Sequence, residues 1–252
     1  MGFKRQLVDL FERIINARIV RRGAIGPLFE EEHLRRVFEH FKVDCVFDVG
    51  ANAGQYAGMV RSRAAYKGPI ISFEPNPRLA AILREKARHD PGWFVEEAAL
   101  GSTAGRATLN VTAQDHFSSL HTPKTTETSL FAKATAILCT VDINISTIEA
   151  ELSNYRKKLG FERPFLKMDT QGHDVEVALG AGEMLSEFVG FQSELAIRRI
   201  YDDTVSYCDA LKFYADRGFV LSAFVPNNAG HFPYLIETDC IMLRKDLIDE
   251  TI

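Results

Sequence analysis

Residues 46–54 read Val46-Phe47-Asp48-Val49-Gly50-Ala51-Asn52-Ala53-Gly54. A short apolar run, Cys45–Val49, breaks into a turn bounded by glycines, and residues 53–65 then carry helical spacing. A strand that turns tightly into a helix is the opening unit of a parallel α/β sheet. Gly50 and Gly54 remove side chains where a ligand approaches the backbone, and ligands of such sheets bind beyond the carboxyl ends of the strands. Asp48 stands at that end. A carboxylate there accepts hydrogen bonds or balances a cation, which suits an amino-acid moiety or a sulfonium better than a pyrophosphate. Glycines at this spacing also occur in dinucleotide sites and in turns that bind nothing, so the turn alone leaves three readings open.

The next strand narrows them. It ends Ser72-Phe73-Glu74-Pro75-Asn76-Pro77, which puts Glu74 20 positions after Gly54. An acid there can accept hydrogen bonds from both hydroxyls of a ribose; the structural alternative is a helix-start carboxylate favoured by the helix dipole. Pro77 is a usual first residue of a helix. NAD would use the same acid, but the first turn is Gly-x-Asn-x-Gly behind an aspartate, not Gly-x-Gly-x-x-Gly.

Working outward, strand-like segments at 93–98, 165–168, 189–195, 219–225 and 236–243 alternate with helix-like segments at 77–89, 146–159, 173–185 and 206–217. This alternation predicts an α/β fold with a doubly wound, mostly parallel sheet. Residues 106–112 alternate like an exposed strand and residues 134–142 form another extended run. Between them, residues 112–128 are rich in Ser and Thr and read as a long loop, of the kind that often carries function. Upstream, Phe3, Leu7, Leu10, Phe11, Ile14 and Ile15 recur at helical spacing. A loop is expected at 23–27 and a second helix at 30–41, with Leu34, Val37, Phe38 and Phe41 on one face. Residues 1–42 are thus expected as an N-terminal helical extension and 43–252 as the main domain. The extension is a candidate for core packing, a homodimer contact, a lid or a membrane-surface helix.

Composition bounds the function. The 252 residues carry a net charge of -4, so there is no basic footprint for nucleic acid. No apolar run is long enough for an integral membrane segment. Asp9, Glu12 and Arg13 interrupt any signal-like region. Cys45, Cys139, Cys208 and Cys240 are widely spaced, with no zinc-type pairing, and Cys45, Cys139 and Cys240 sit in apolar runs. A cytoplasmic chain with reduced, buried thiols is the expectation.

A second polar cluster follows the strand at 165–168: Asp169-Thr170-Gln171-Gly172-His173-Asp174. Asp169 ends an apolar strand, Gly172 lets the chain turn, and His173 and Asp174 open the next helix. Glu194 nearly ends the following strand. If the two strands are neighbours, Asp169 and Glu194 can converge on one substrate hydroxyl, or on Mg²⁺ held by two carboxylates and waters. The competing role for Asp169 and Asp174 is helix capping and dipole compensation.

These residues carry a resemblance. The turn Phe47–Gly54, the strand end Phe73-Glu74-Pro75-Asn76, the step Ala98-Ala99-Leu100-Gly101 and the segment Leu166–Asp174 together resemble the FkbM-like methyltransferases, in order, over about residues 44–244. The resemblance implies a class I S-adenosylmethionine (SAM)-dependent fold, a Rossmann-like seven-stranded sheet with its last strand antiparallel. It implies O-methylation of a small-molecule acceptor, a sugar or natural-product hydroxyl. Carried over, Asp48, Gly50, Asn52 and Gly54 face the methionine part of SAM, Glu74 and its neighbour Asn76 the ribose side, and Glu97 and Ala98 the adenine. Phe117-Ser118-Ser119-Leu120 resembles a segment that closes over the cofactor, with Ser118 and Ser119 as contacts. Asp169 is the expected base or metal ligand, Glu194 its partner and His173 a competitor. His116, His121, His231 and the loop at 226–234 are expected to line the acceptor pocket. Family members often have an acid where Gln171 stands and Glu where Asp174 stands; Gln171 cannot act as a base. A non-catalytic SAM-binding protein and an NAD-linked enzyme of similar topology are the alternatives.

Overall fold

The computed structural model of the chain describes residues 25–114, 118–121, 133, 135–199, 201, 203–226, 233 and 235–249. The expectations for Phe3–Ile15, His116, Phe117, His231 and most of the 226–234 rim therefore lie outside the described residues.

Strand β1 (Cys45–Val49) lies next to the middle of the sheet, and its five residues are all buried. It pairs in parallel with β2 (Ile70–Phe73) on one side and with β7 (Pro164–Met168) on the other. Burial on both faces is what a near-continuous apolar run in a parallel sheet requires. With β3 (Trp93–Glu96), β8 (Gly190–Ala196), β9 (Phe219–Pro226) and β10 (Glu237–Arg244), these strands form a seven-stranded sheet in the order β3-β2-β1-β7-β8-β10-β9. β10 runs antiparallel between β8 and β9, as the resemblance implies.

Alternation along each strand divides the core into two layers. Phe47, Ile71, Leu166 and Phe191 pack with helices α4 (Ile148–Leu159), α5 (Asp174–Leu179) and α6 (Tyr207–Ala215). Val46, Ile70, Phe165 and Ile241 pack with α1 (Ile25–His40) and α2 (Gln55–Ser62) on the other face. Leu34, Val37, Phe38 and Phe41, the predicted apolar face, belong to this second layer, where Phe38 meets Phe165 edge-on at 5.1 Å between ring centroids. The helix begins at Ile25, inside the loop expected at 23–27. A short C-terminal helix, α7 (Lys245–Asp249), follows β10.

Three other expectations change. The helix expected at 173–185 splits into α5 and a 3-10 turn, Gly182–Glu187, with the left-handed Gly182 (φ 55°) interrupting the helical run; Gly180 between them passes so close to its neighbour that a Cβ there would lie 2.0 Å from the Gly101 carbonyl oxygen. The exposed strand and the extended run pair with each other: β5 (Gly105–Thr112) and β6 (Ile137–Ser146) join β4 (Ala99–Leu100) in a second sheet of order β4-β6-β5 around Ala99, Leu109 and Ile143. Cys139 on β6 is exposed, as is Cys208, while Cys45 and Cys240 are buried; all four are free thiols. No helix among the described residues is long and apolar enough to cross a membrane.

The opening turn rests on three left-handed residues, Gly50, Asn52 and Gly54. Gly50 has φ 75° and Asn52 φ 48°; asparagine tolerates this region because its short side chain bonds locally, here accepting from Ala53 N at 2.6 Å. At Gly50 the near neighbour is protein: a Cβ would stand 1.9 Å from the backbone oxygen of Asp169. The glycine lets the turns after β1 and β7 touch. Gly54, at φ 83°, faces Trp93 and Leu83 in the same way, a Cβ lying 2.8 and 2.9 Å from their rings and methyls. Gly50→Ala should therefore destabilise the chain by about 3 kcal/mol or more, since the φ is unsuited to alanine and the obstacle is backbone. Chemical denaturation checks this; unchanged stability would contradict it.

Candidate functional site

The turns after β1, β2, β7 and β8 open into one cavity of about 400 Å³. Asp48, Gly50, Asn52, Glu74, Ala98, Ser118, Ser119, Asp169, His173 and Glu194 all line it. Gly54 does not; it packs under the turn. Asn76 caps helix α3 (Pro77–Ala87), its side chain accepting from Arg78 N at 3.1 Å. Glu97 points away and pairs with Arg84 at 2.8 Å.

Each wall is anchored from behind. Asp48 accepts from Ser72 Oγ at 2.9 Å, which itself accepts from the Trp93 indole N–H at 2.9 Å. Glu74, 6% exposed, accepts from the backbone N–H of Asn52 and of Asn76, both at 2.8 Å, and so ties the first turn to the second. Asp174 is a buried latch. One of its oxygens accepts from Thr170 N at 2.9 Å and from the Thr170 hydroxyl; the other accepts from Ser193 Oγ at 3.0 Å and Glu194 N at 2.8 Å. It thus fixes the turn that carries Asp169 to the strand that carries Glu194.

Gln171 holds those two acids apart. Its φ is 54°, and its side-chain amide donates to Asp169 Oδ1 at 3.1 Å and to Glu194 Oε2 at 3.0 Å, while its oxygen accepts from Tyr201 OH at 2.8 Å. This arrangement does not fit Mg²⁺ between Asp169 and Glu194. An amide N–H₂ already occupies the position between the carboxylates, and the Lys167 ammonium sits 3.2 Å from Asp169 Oδ2.

Lys167 is the residue the sequence reading passed over. It lies inside β7, 5% exposed, with its ammonium over the Tyr56 ring. Burial works against its charge, but Asp169, Asp239, Asp48 and Asp174 outweigh that and push its pKa up. Burial dominates for the acids. Asp48 is pushed up to about 6, with Lys167 and Ser72 opposing. Asp239 is pushed up to about 7, with Lys167 opposing and Asp169 adding. Glu237 reaches about 8, raised further by Asp169 and Asp239. Glu194 is raised by burial and then by Glu237 and Asp169. His173 is lowered to about 4 by burial and by His121. Tyr56 and Glu237, which also line the cavity, went unnoticed as well. The available signal was chemical: Lys167, Glu237 and Asp239 interrupt strands that are otherwise apolar, and such residues are rarely buried unless paired.

These shifts set a pH dependence. Unfolded, the acids titrate near pH 4; folded, Asp48, Asp239 and Glu237 keep their protons to about 6, 7 and 8. Between those limits the folded chain binds more protons, so stability is greatest at the acid end and falls as pH rises. The thermal midpoint of the ligand-free chain should drop by on the order of 5 °C between pH 5 and pH 8. A midpoint that climbs across that range would contradict the assignment.

The family model of the FkbM methyltransferase domain matches residues 48–221. No curated protein matches the chain. Among solved structures, the methyltransferase FkbM of Methylobacillus flagellatus KT is 16% identical, covering 80% of this chain and 43% of its own, with a TM-score of 0.46. Fibrillarin of Aeropyrum pernix, crystallised with natively bound S-adenosyl-L-methionine, is 13% identical over 79% of this chain and 66% of its own, at 0.43. The magnesium protoporphyrin IX methyltransferase of Synechocystis PCC 6803, with bound SAM, is 10% identical over 97% and 98%, at 0.46. The chain spans under half the length of the first of these and 66% of the second. The family match runs from Asp48 at the first turn, through Asp169 and Glu194, to Leu221 in β9, well over half of the chain, and on that match the chain belongs to the FkbM methyltransferase domain family.

Proposed function

We propose that this chain is a SAM-dependent methyltransferase that transfers a methyl group to a hydroxyl of a small molecule, a sugar or natural-product acceptor. The carrying observation is the acidity of the cavity: among the described residues that line it, the carboxylates of Asp48, Glu74 and Asp169 stand against one lysine, Lys167, and Glu194 and Glu237 add two acids whose protons burial holds more tightly. A surface so rich in carboxylates repels a pyrophosphate and favours a cationic nucleoside, which speaks for SAM over NAD. The same feature weighs against a SAM-binding protein without activity, because the acids extend past those needed for the cofactor.

The residues fit the group in parts. Phe73, Pro75, Ala98, Ala99, Leu100 and Leu109 form an apolar wall for a base, next to Glu74 for the ribose hydroxyls. At the other end Asp48 would take the ammonium of the methionine part. The Tyr56 hydroxyl is buried without a hydrogen-bond partner among the described residues, and with Lys167 it offers donors to the carboxylate. When bound, SAM supplies a methyl group already activated on a cationic sulfur. The chain has to align the acceptor oxygen and remove its proton. Asp169 is 44% exposed into this space, with Lys167 and Gln171 fixing its two oxygens, and it orients the hydroxyl. Glu194, with its proton affinity raised by burial and by Glu237, receives the proton. His173, lowered to about 4, is a poor base.

Asp169→Asn and Glu194→Gln should each slow methyl transfer to a hydroxylated acceptor by roughly 10²–10⁴-fold while SAM affinity stays within about threefold. Single-turnover transfer of labelled methyl to a panel of glycosylated acceptors, with products identified by mass spectrometry, makes the test. Wild-type rates in both variants would overturn the proton assignment, and methyl groups found only on nitrogen would overturn the hydroxyl acceptor.

A further inference from the structure

At the edge of the cavity, where His173 lines it, stands a cluster that methyl transfer does not use. His121 Nε2 and His173 Nδ1 face each other at 3.2 Å. Two nitrogens bound tetrahedrally to Zn²⁺ at ~2.05 Å stand about 3.3 Å apart. Glu176, one turn along α5 from His173, brings a carboxylate oxygen to 3.8 Å from His173 Nδ1, and that oxygen is buried with no hydrogen-bond partner among the described residues. The three donor atoms lie within 4.8 Å of one another.

The ligands are held before any metal arrives. The His121 backbone is fixed at both ends, its N–H donating to Ser119 Oγ at 3.0 Å and its carbonyl accepting from Asn110 Nδ2 at 3.2 Å. The His173 ring rests against Gly101, where a Cβ would come within 3.2 Å of Nε2. A hydrogen bond between the two rings accounts for the 3.2 Å approach but leaves the Glu176 oxygen unsatisfied; a cation accounts for both.

We propose that His121, His173 and Glu176 bind one Zn²⁺-class dication, a two-histidine, one-carboxylate site with a fourth position open. It would staple the strap 118–121, whose Ser118, Ser119 and Leu120 line the cavity, to the first turn of α5. That strap already meets the turn once, where Ser119 Oγ donates to the Gln171 carbonyl at 2.9 Å. The site is separate from Asp169 and Glu194 and does not depend on the methyl-transfer reading.

The test uses the full chain, stripped of metal and titrated with Zn²⁺ against a chromophoric chelator, with thermal unfolding alongside. One equivalent per chain should bind, and Zn²⁺ should raise the thermal midpoint. Glu176→Gln, which keeps the shape, and His121→Ala should each weaken binding by at least about tenfold and abolish the rise in midpoint. The inference is overturned if the wild-type chain binds Zn²⁺ no better than these variants, or if Mg²⁺ competes for the site at equal concentration.

Discussion

Everything at the carboxyl edge of the sheet depends on one buried cation. Lys167 sits inside the central strand β7 with Asp169 at 3.2 Å, and Asp48, Asp174 and Asp239 also act on its charge. Asp48 in β1, Asp169 after β7, Asp174 at the start of α5 and Asp239 in β10 gather around an ammonium that balances part of their charge. Removing one partner from such a buried set leaves the others uncompensated, which typically costs about 3–5 kcal/mol. Among the described residues that line the cavity, acids outnumber cations. Burial and this crowding raise the proton affinity of Asp48, Asp239, Glu237 and Glu194.

Around that balance the turns are fastened to one another. Glu74 ties the first turn to the second, Asp174 ties the third to β8, and the absent side chain of Gly50 lets the first and third touch. Gln171 then sets the separation of Asp169 and Glu194 through one amide. The departure from the family's frequent acid at this position thus has a structural consequence. Another carboxylate would add to the repulsion already present, whereas the amide supplies two N–H donors to the acids it separates.

Much of this was legible in the residues. The alternation of segments predicts the parallel sheet, and the strand ends at Asp48, Glu74, Asp169 and Glu194 do meet in one cavity, because side chains at the carboxyl edge of neighbouring parallel strands have nowhere else to converge. The second sheet was not legible: pairing of β5 with β6 spans a long intervening segment, and register across such a gap leaves no local mark. The glycines have a second neighbour besides the cavity that Gly50 lines. Gly50 and Gly54 do need small side chains, but the crowding atoms belong to Asp169, Trp93 and Leu83, which no spacing rule names. Lys167 and Glu237 were visible only as charges misplaced in apolar strands, and His121 with Glu176 only once the strap was folded onto α5.

The central claim is that the acidic cavity receives a cationic nucleoside. Titration calorimetry of the ligand-free chain with SAM and with NAD at neutral pH tests it most directly. The account predicts saturable binding of SAM with one site per chain and no measurable heat with NAD. Binding of NAD, or no binding of SAM, would contradict it.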